Sequence, residues 1–414
     1  MGDLCPLIDE LLEALRRQGG FAYAALVKLA ESGDRNAAEE IYEMSWEQLH
    51  SGPWNEVHSA WRDAFSLACL LLSNCIERQT VDVVDQRLKY LDMGIIMGGL
   101  LFRSHLEFAV SAAQGSRQSQ PEIRPLASNA RRDFFPPPSE ADAVNWDEED
   151  HRRRLYLENL KDLPPSTVRQ TRVRTRFLPS LETFAREFFG PGQPVVITGA
   201  MADWPAKSRW KDIQYLRRIA GNRTVPVEIG EHYLAAGWKQ ELMTVGELLN
   251  RICSPDIDST NRPYLAQYSL FEQIPELNKD IVVPDHCGLG GGEMKSINAW
   301  FGPAGTVTPL HQDPHHNILA QVVGQKYVRL YSPSYSSQLY PFPEFMLRNS
   351  SQVDLDRPDF MKFPDFENLR GMEFILEEGD MLYIPPKWWH YVKALSPSFS
   401  VSFWWAVASP ECSD

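Results

Sequence analysis

The chain has 414 residues, 43% of them hydrophobic and 23% charged, which is an ordinary composition for a globular protein long enough for two domains. Its formal net charge of −14 argues against direct nucleic-acid binding across the surface. The acidic N-terminus is unlike a secretory signal, and no segment approaches the roughly 18 apolar residues of a membrane span, so no membrane association is expected.

The first 112 residues are predicted to form a helical domain. Apolar residues recur there at three- and four-residue steps, and turn signals such as QGG and SGDR separate the segments. Hairpins of antiparallel helices, tetratricopeptide-like, are the natural packing, although no clean repeat of that period is present. Such arrays often bind other proteins, and a bundle that only stabilises or orients the rest of the chain is an equal alternative.

Residues 113–170 are predicted to be a charged, proline-rich linker that is disordered in part. The stretch is polar and poor in apolar periodicity, so it offers little surface for a packed core. Two arginine clusters, Arg131-Arg132 and Arg152 to Arg154, are candidates for nuclear import, although short basic clusters are common.

Residues 171–414 are predicted to form a β-rich domain. Short runs such as PVVITGA, SINAWFG and FSVSFWWAV are strand-like and are broken by glycine and proline, whereas SLETFAREFF and DIQYLRRIAG are amphipathic helices. Many short strands with few helices predict a double-stranded β-helix, the cupin or jelly-roll fold, with flanking helices. The fold class expected for the whole chain is an all-α N-terminal domain followed by this β-rich domain.

A metal site is predicted from the stretch PLHQDPHHN. Strand alternation directs His311 and Asp313 to one face, and His390, on an apolar strand near the end of the domain, is the candidate third ligand. Two imidazoles and one carboxylate form the ligand set of non-haem Fe(II) oxygenases, because they leave coordination positions open. A Zn(II) cupin remains an alternative, since the sequence does not choose between divalent metals.

The residues around these ligands resemble the Jumonji-C (JmjC) domain, in its hydroxylase-like branch with an HxD motif. The resemblance covers residues 175 to 408, and its segments are more specific than HxD alone. They are PVVITGAMADWP, INAWFGPAGTVTPLHQDPHHN, GQKYVRLYSP, SQVDLDRPDFMKFP and LEEGDMLYIPPKWWHYV followed by SVSFWW. The resemblance implies an Fe(II)-dependent dioxygenase with 2-oxoglutarate and O2 as cosubstrates. His315 and His316 match no ligand of the family and are interpreted as pocket-edge or surface residues.

The resemblance also implies a cosubstrate pocket. Lys326 shares a strand face with Val328 and Leu330, so its ammonium points into the barrel, where it needs an anion: the far carboxylate of 2-oxoglutarate or a structural Asp or Glu. Arg329 falls on the opposite face and is expected to be solvated.

Further cosubstrate residues are implied by the resemblance alone. Tyr264 and Thr308 would hydrogen-bond the same carboxylate, Asn317 would steady the ketoacid end, and Trp300 would line the pocket. The strand parity of Thr308 is opposite to that of His311. Either Pro309 introduces an irregularity that reconciles the two, or Thr308 does not contact the ligand.

The substrate pocket decides which reaction the domain performs. Glu228 and Trp238 match positions that line an arginine pocket in the resembling proteins, where a carboxylate can pair with a guanidinium and an indole can stack on it. A surface carboxylate and a core indole are equal alternatives. Asn298 and Trp404 are further pocket-wall candidates that are as often structural.

The predicted activity is therefore hydroxylation of protein arginine residues at C3. The resemblance brings two alternatives, demethylation of methyl-lysine on the histone H3 tail and cleavage of histone tails beside methylated arginine or lysine, although the chain lacks an HExxH protease motif. A non-catalytic, chromatin-associated binding module is a fourth alternative, and intact His311, Asp313, His390 and Lys326 argue against it. The expected partners are protein substrates, either arginine-containing or methylated histone tails. A monomer is expected because the sequence after the last strand leaves no room for dimerising helices. The nucleus is the expected location, with the cytoplasm as a second one.

Overall fold

The structure is a computed structural model that describes residues 4–76, 81–118, 163, 170–254 and 257–408. The chain divides into two compact units. Unit 1 combines the N-terminal helical region with two short segments from farther along the chain, Ala220–Pro226 and Leu242–Gly246. Unit 2 contains the remaining described residues and all of the predicted site residues. No helix in the described ranges is long and apolar enough to cross a membrane.

The helices of unit 1 form where apolar residues recur at helical spacing. They are α1 (Cys5–Arg17), α2 (Phe21–Glu31), α3 (Arg35–Leu49), α4 (Ser59–Asn74), α5 (Val81–Met97) and α6 (Arg103–Gln118). Helix α1 is amphipathic and buries Ile8, Leu11, Leu12 and Leu15 on one face. Helix α4 is buried almost all round, which makes it the centre of the unit. The last helix continues to Gln118, six residues beyond the predicted end, so the beginning of the predicted linker is helical.

An ion pair is fully buried within unit 1. Arg223, from the segment Ala220–Pro226, donates from Nη2 to Oδ1 of Asp92 on α5 at 2.7 Å and from Nε at 3.0 Å. The backbone N–H of Thr224 donates to Oδ2 of the same carboxylate at 2.7 Å. The exposed fraction of the two side chains is 1% and 0%, so the carboxylate joins this segment to α5 in a buried environment.

Two sheets make up the β-rich part of the chain. The strands are β1 (Gln170–Thr171), β2 (Arg174–Phe177), β3 (Val195–Thr198), β4 (Thr224–Ile229), β5 (Lys239–Thr244), β6 (Pro263–Tyr268), β7 (Glu293–Gly302), β8 (Val307–Gln312), β9 (His316–Val323), β10 (Lys326–Tyr331), β11 (Gly371–Leu376), β12 (Met381–Ile384), β13 (Trp389–Ala394) and β14 (Ser398–Ala406). One sheet has the order β1-β11-β10-β13-β8, and the other has the order β2-β3-β12-β9-β14-β7-β6-β4-β5. Two sheets of non-consecutive strands are the jelly-roll arrangement that the sequence predicts.

The flanking helices of the β-rich part are short. They are α7 (Leu181–Phe184), α8 (Ala206–Arg209), α9 (Ile213–Ala220), α10 (Val245–Ile252), α11 (Leu270–Gln273) and α12 (Pro275–Asn278).

The inner faces of the two sheets enclose one apolar cluster. It includes Leu319 from β9, Val328 and Leu330 from β10, Ile384 from β12 and Val392 from β13. Strand β8 pairs antiparallel with β13, and His311 lies directly opposite His390. The strand pairing therefore brings two distant histidines to one end of the cluster.

The outer face of β10 is also buried. Arg329 is 1% exposed, and its guanidinium pairs with Glu373 at 3.2 Å and donates from Nε to the Tyr327 hydroxyl at 2.8 Å. The expectation that Arg329 is solvated is wrong. Residues after β10 fold back over this face and form a second apolar cluster, which includes Tyr327, Tyr331, Leu339, Val353, Leu355, Phe363, Phe366 and Leu369.

Candidate active site

The three predicted metal ligands lie together. His311 is on β8, Asp313 follows the end of that strand, and His390 is on β13. Oδ2 of Asp313 lies 3.4 Å from Nε2 of His390 and 3.7 Å from Nε2 of His311. One ligand atom from each residue lies within 4.8 Å of the others. This is a donor set of two imidazoles and one carboxylate around a single point.

The backbone fixes the orientation of both imidazoles. Nδ1 of His311 lies 2.8 Å from the Pro309 carbonyl oxygen, and Nδ1 of His390 lies 3.0 Å from the Trp388 carbonyl oxygen. A carbonyl only accepts, so each Nδ1 carries the hydrogen and each Nε2 has its lone pair free to bind a metal. In both cases the carbonyl belongs to the residue two positions earlier.

The protonation states of the ligands suit a divalent cation. Burial, followed by the nearby His390, lowers the pKa of His311 to about 4, so the imidazole is neutral at pH 7. Burial alone would raise the pKa of Asp313, but the neighbouring imidazoles of His311 and His390 lower it overall. The site therefore presents a carboxylate beside two imidazole nitrogens, a donor set that fits Fe(II).

The inward face of β10 carries a buried cation. Lys326 is 2% exposed, and burial lowers its pKa to about 7. Its ammonium lies 3.4 Å from the Tyr264 hydroxyl, and the Tyr264 side chain is hydrogen-bonded to Thr308. None of the described carboxylates forms an ion pair with Lys326, so no structural Asp or Glu takes the role of its anion. The trio fits one carboxylate of 2-oxoglutarate.

A register shift in the β8–β13 pairing brings Thr308 to the same side as His311. His390 lies opposite His311, but Val392, two residues on, lies opposite Thr308, three residues back. The extra residue of β8 falls at Pro309 or Leu310 and reverses the strand parity at that point. Thr308, His311, Tyr264 and Lys326 consequently line one pocket.

Asn317 and Trp300 complete this pocket. Oδ1 of Asn317 is buried and has no hydrogen-bond partner among the described residues, so the side chain has an unused acceptor beside the metal ligands. Nε1 of Trp300 donates to Oγ of Ser402 at 2.9 Å, which fixes the indole against the wall. Ser402 also lines the pocket, although no pattern in the sequence predicts this.

A larger cavity of about 520 Å³ opens outward from the metal ligands. Glu228 and Trp238 line it, together with Trp404 and the ligands His311 and Asp313. Burial raises the pKa of Glu228 to about 7, although a hydrogen bond with the Trp238 side chain opposes the shift. No described lysine or arginine forms an ion pair with Glu228.

Asn298 is the predicted site residue that the structure does not bring to either pocket. It is buried on β7, donates from Nδ2 to Oγ of Ser296 at 2.9 Å, and is not among the residues that line the two cavities. Asn298 is therefore better described as a structural residue, which was the alternative to a pocket-wall role.

Several cavity residues were missed by sequence reasoning. The Tyr233 hydroxyl lies 2.8 Å from Oγ of Ser350, and burial raises its pKa to about 12. Gln240 lies on β5, two residues after the predicted pocket residue Trp238, and lines the same cavity. Gln267 has a positive φ of 47° where the β6–β7 register shifts, and nothing in the sequence indicates this backbone.

His316 is neither a ligand nor a surface residue. Its ring stacks on Phe189, Tyr383 and Trp405, and its Nδ1 lies 2.8 Å from the Tyr383 hydroxyl. Burial lowers its pKa to about 4, so it packs as a neutral aromatic ring.

The fold and the site define a 2-oxoglutarate-dependent oxygenase of the JmjC class, which uses Fe(II) and O2. Comparison with known proteins agrees: residues 180–409 match the model described as "Cupin-like domain", and residues 6–124 match "KDM8-like, N-terminal ARM repeats". The chain belongs to the JmjC family that includes proteins named lysine-specific demethylase 8 and Jumonji C domain-containing protein 5. The helical region is thus of the armadillo type, where the sequence suggested tetratricopeptide-like hairpins.

The similarity to relatives extends over nearly the whole chain. Lysine-specific demethylase JMJ30 of Arabidopsis thaliana is 50% identical over 96% of this chain and 92% of its own length. Lysine-specific demethylase 8 of Xenopus tropicalis is 38% identical over 96% of this chain and 94% of its own. Jumonji C domain-containing protein 5 of Drosophila melanogaster is 33% identical over 92% and 90%.

Proposed function

We propose that this protein hydroxylates arginine residues of protein substrates at C3. The observation that carries the proposal is Glu228, a shielded carboxylate without an ion-pair partner in the described chain, in the cavity that opens from the metal ligands. A carboxylate in this position favours a cationic substrate, because burial without a counter-charge is unfavourable.

A guanidinium suits this cavity better than a methylated ammonium does. It offers N–H groups in a planar fork that a carboxylate accepts in pairs, whereas a trimethylated lysine has no N–H to donate. Trp238, beside Glu228, supplies an aromatic face for the guanidinium plane.

The residues of the chain position the reactants. His311, Asp313 and His390 would hold Fe(II), which with 2-oxoglutarate and O2 supplies the oxidation of a substrate C–H bond. Lys326, Tyr264 and Thr308 would bind the cosubstrate carboxylate, and Asn317 would orient its other end. Glu228 would hold the arginine so that one carbon lies nearest the iron. A hydroxyl on C3 is a stable product, whereas one on an N-methyl carbon would be lost as formaldehyde.

A second candidate is demethylation of methyl-lysine, for example on the histone H3 tail. The names of the relatives favour it, since two of the three compared are lysine-specific demethylases. In this reaction Trp238 and Trp404 would contact the methylammonium group by cation–π interaction, and the iron and cosubstrate residues would be the same.

We also propose that the protein acts as a monomer in the nucleus, with the cytoplasm as a second location. The arginine clusters that suggest import, Arg131-Arg132 and Arg152 to Arg154, lie outside the described residues. Imaging of the tagged protein before and after substitution of both clusters would test the location.

The decisive experiment is mass spectrometry of arginine-containing and methyl-lysine peptides incubated with Fe(II), 2-oxoglutarate and O2. The expected result is a gain of one oxygen on unmethylated arginine, absent with Asp313→Ala. Loss of a methyl group without any arginine oxidation would replace hydroxylation by demethylation. Backbone cleavage that persists without 2-oxoglutarate would replace both by peptidase activity.

A further inference from the structure

We propose that residues 341–350, PFPEFMLRNS, form a rim loop that binds an apolar residue next to the target residue in an extended substrate polypeptide. The proposal rests on the proposed function for the identity of the target, arginine, and adds a second determinant of substrate choice.

The rim loop displays large apolar side chains beside the active site. Phe345 is 73% exposed and Met346 is 79% exposed. Met346 and the adjacent Leu347 also line the cavity that contains Glu228 and the metal ligands. The apolar surface is therefore continuous with the catalytic cavity, and exposed apolar surface of this kind is typical of binding sites.

The base of the rim loop is held against the strand that carries His311. The N–H of Gln312 donates to the Asn349 carbonyl at 2.8 Å, and the N–H of Ser351 donates to the Leu310 carbonyl at 2.8 Å. Ser350 forms a β-bridge with His311. Because the rim loop is attached to the strand that carries a metal ligand, it can contact substrate residues that flank the reacting one.

The rim loop is also ordered internally. The N–H of Phe342 donates to the Ser350 carbonyl at 3.0 Å, the N–H of Leu347 to the Glu344 carbonyl at 3.0 Å, and the N–H of Ser350 to the Leu347 carbonyl at 2.7 Å. The apolar side chains are thus presented by a closed turn. A preorganised surface loses little conformational entropy on binding, which favours its use as a contact.

The charges of the rim loop indicate an apolar occupant. The rim loop contains one acidic and one basic side chain, Glu344 and Arg348, so its formal net charge is zero. The Arg348 guanidinium also lies 4.5 Å from the centre of the Phe345 ring. The same cavity carries the amides of Gln240 and Gln267, which suit the N–H and C=O groups of an extended backbone. Apolar and main-chain contacts together fit a polypeptide rather than a free amino acid.

The test compares two variants. Phe345→Ser/Met346→Ser removes the exposed apolar side chains of the rim loop. Met361→Ser is the matched control, because Met361 is 94% exposed but lines none of the catalytic cavities. Binding is measured by calorimetry on the iron- and 2-oxoglutarate-loaded protein without O2, with peptides whose arginine is flanked by leucines or by serines.

The wild-type protein and the Met361→Ser control should bind the leucine-flanked peptide about tenfold more tightly, a difference of about 1.4 kcal/mol. The double variant should lose this preference and bind both peptides equally. Equal binding of the two peptides by the wild type, or a preference that survives in the double variant, would overturn the proposal.

A third peptide separates this proposal from the proposed function. It keeps the leucines and replaces arginine by alanine. Unchanged affinity for this peptide would refute arginine as the target and leave the apolar preference standing. Weaker binding together with no preference between leucine and serine would refute the rim loop and leave arginine standing.

Discussion

Glu228 and Lys326 are ionisable side chains of opposite sign that have no ion-pair partner among the described residues. Burial moves both pKa values to about 7, upward for Glu228 and downward for Lys326. Neither group is fully charged at neutral pH until a ligand of opposite charge arrives, since such a ligand restores the charged form. Lys326 lines one cavity and Glu228 the other, and Tyr264 lines both.

Substitution of Glu228 by glutamine should reduce kcat/KM for arginyl peptides at least about thirtyfold, because removing one partner of a buried charge pair costs about 2–5 kcal/mol. In the wild type, kcat/KM should rise with pH through about 7, as Glu228 becomes ionised. The variant should lack this rise. Steady-state kinetics from pH 6 to 8 test both points, with the exposed Glu272→Gln as control. An unchanged kcat/KM would remove Glu228 from the substrate site.

Substitution of Lys326 by methionine should raise KM for 2-oxoglutarate about a hundredfold or more, because a charge-assisted contact to the carboxylate is lost. Without 2-oxoglutarate, the wild type should gain stability between pH 7 and 10, by up to about 1.4 kcal/mol per pH unit, since the unfolded lysine binds a proton that the folded one has released. The variant should lack this slope. Chemical unfolding at several pH values measures it, and Lys279→Met, at an exposed site, should behave as the wild type.

Among individual residues, those whose chemistry is unusual for their position could be predicted from the sequence. A carboxylate between two histidines and a lysine on an inward strand face are conspicuous, and the structure places each of them at the site. Tyr233 and Ser402 could not be predicted, because a tyrosine or serine in a β-rich chain fits many roles. Arg329 was misplaced, because parity describes a strand face but does not reveal which segment covers it.

The alternation of side chains along β8 changes within the strand. The register shift at Pro309 or Leu310 reverses which alternate residues face the barrel interior, so Thr308 and His311 share a pocket. A β-bulge next to an active site commonly re-aims a side chain in this way. The bulge therefore brings Thr308 and His311, which belong to one strand, to the same pocket.

Deletion of Pro309 should restore a regular frame and turn either Thr308 or His311 away from the pocket. Cosubstrate binding and metal binding, measured separately by calorimetry, should then no longer both occur. Pro309→Ala keeps the residue count and the carbonyl that accepts from His311, so it should retain both. If the deletion variant binds both with wild-type affinity, the bulge is not what aligns the two side chains.

The elements themselves were largely predictable. Helical spacing in the first part and short β-rich runs in the second predict the class of each element. The end of α6 and the register shift in β8 were not predictable. No glycine follows Gln118 to mark the end of the helix, and the position of a bulge depends on tertiary packing.

Unit 1 is built from three stretches of chain. The segments Ala220–Pro226 and Leu242–Gly246 belong to it, although the sequence suggested one contiguous helical domain. A change from helical to β-rich composition could not reveal this, because the two segments are only seven and five residues long. The pairing of Arg223 with Asp92 and the hydrogen bond from the Thr224 N–H to the same carboxylate show how the first segment is held within the unit.

Asp92→Ala should lower the free energy of unfolding by about 3–5 kcal/mol, because it leaves the Arg223 guanidinium buried without its counter-ion. The double substitution Asp92→Leu/Arg223→Met removes both charges and should recover most of the loss. Chemical denaturation of the full chain measures both values. A double variant as unstable as Asp92→Ala would show that the loss does not come from leaving the guanidinium buried without its counter-ion.

Because unit 1 consists of three separate stretches of chain, it also determines where the protein can be divided into two polypeptides. A break introduced between residues 119 and 169 separates the helices from the two later segments that complete their unit. The pieces would thus be halves of a split protein rather than independent modules. Coexpressed as two polypeptides, they should copurify, and the fragment that lacks α1 to α6 should accumulate poorly when expressed alone.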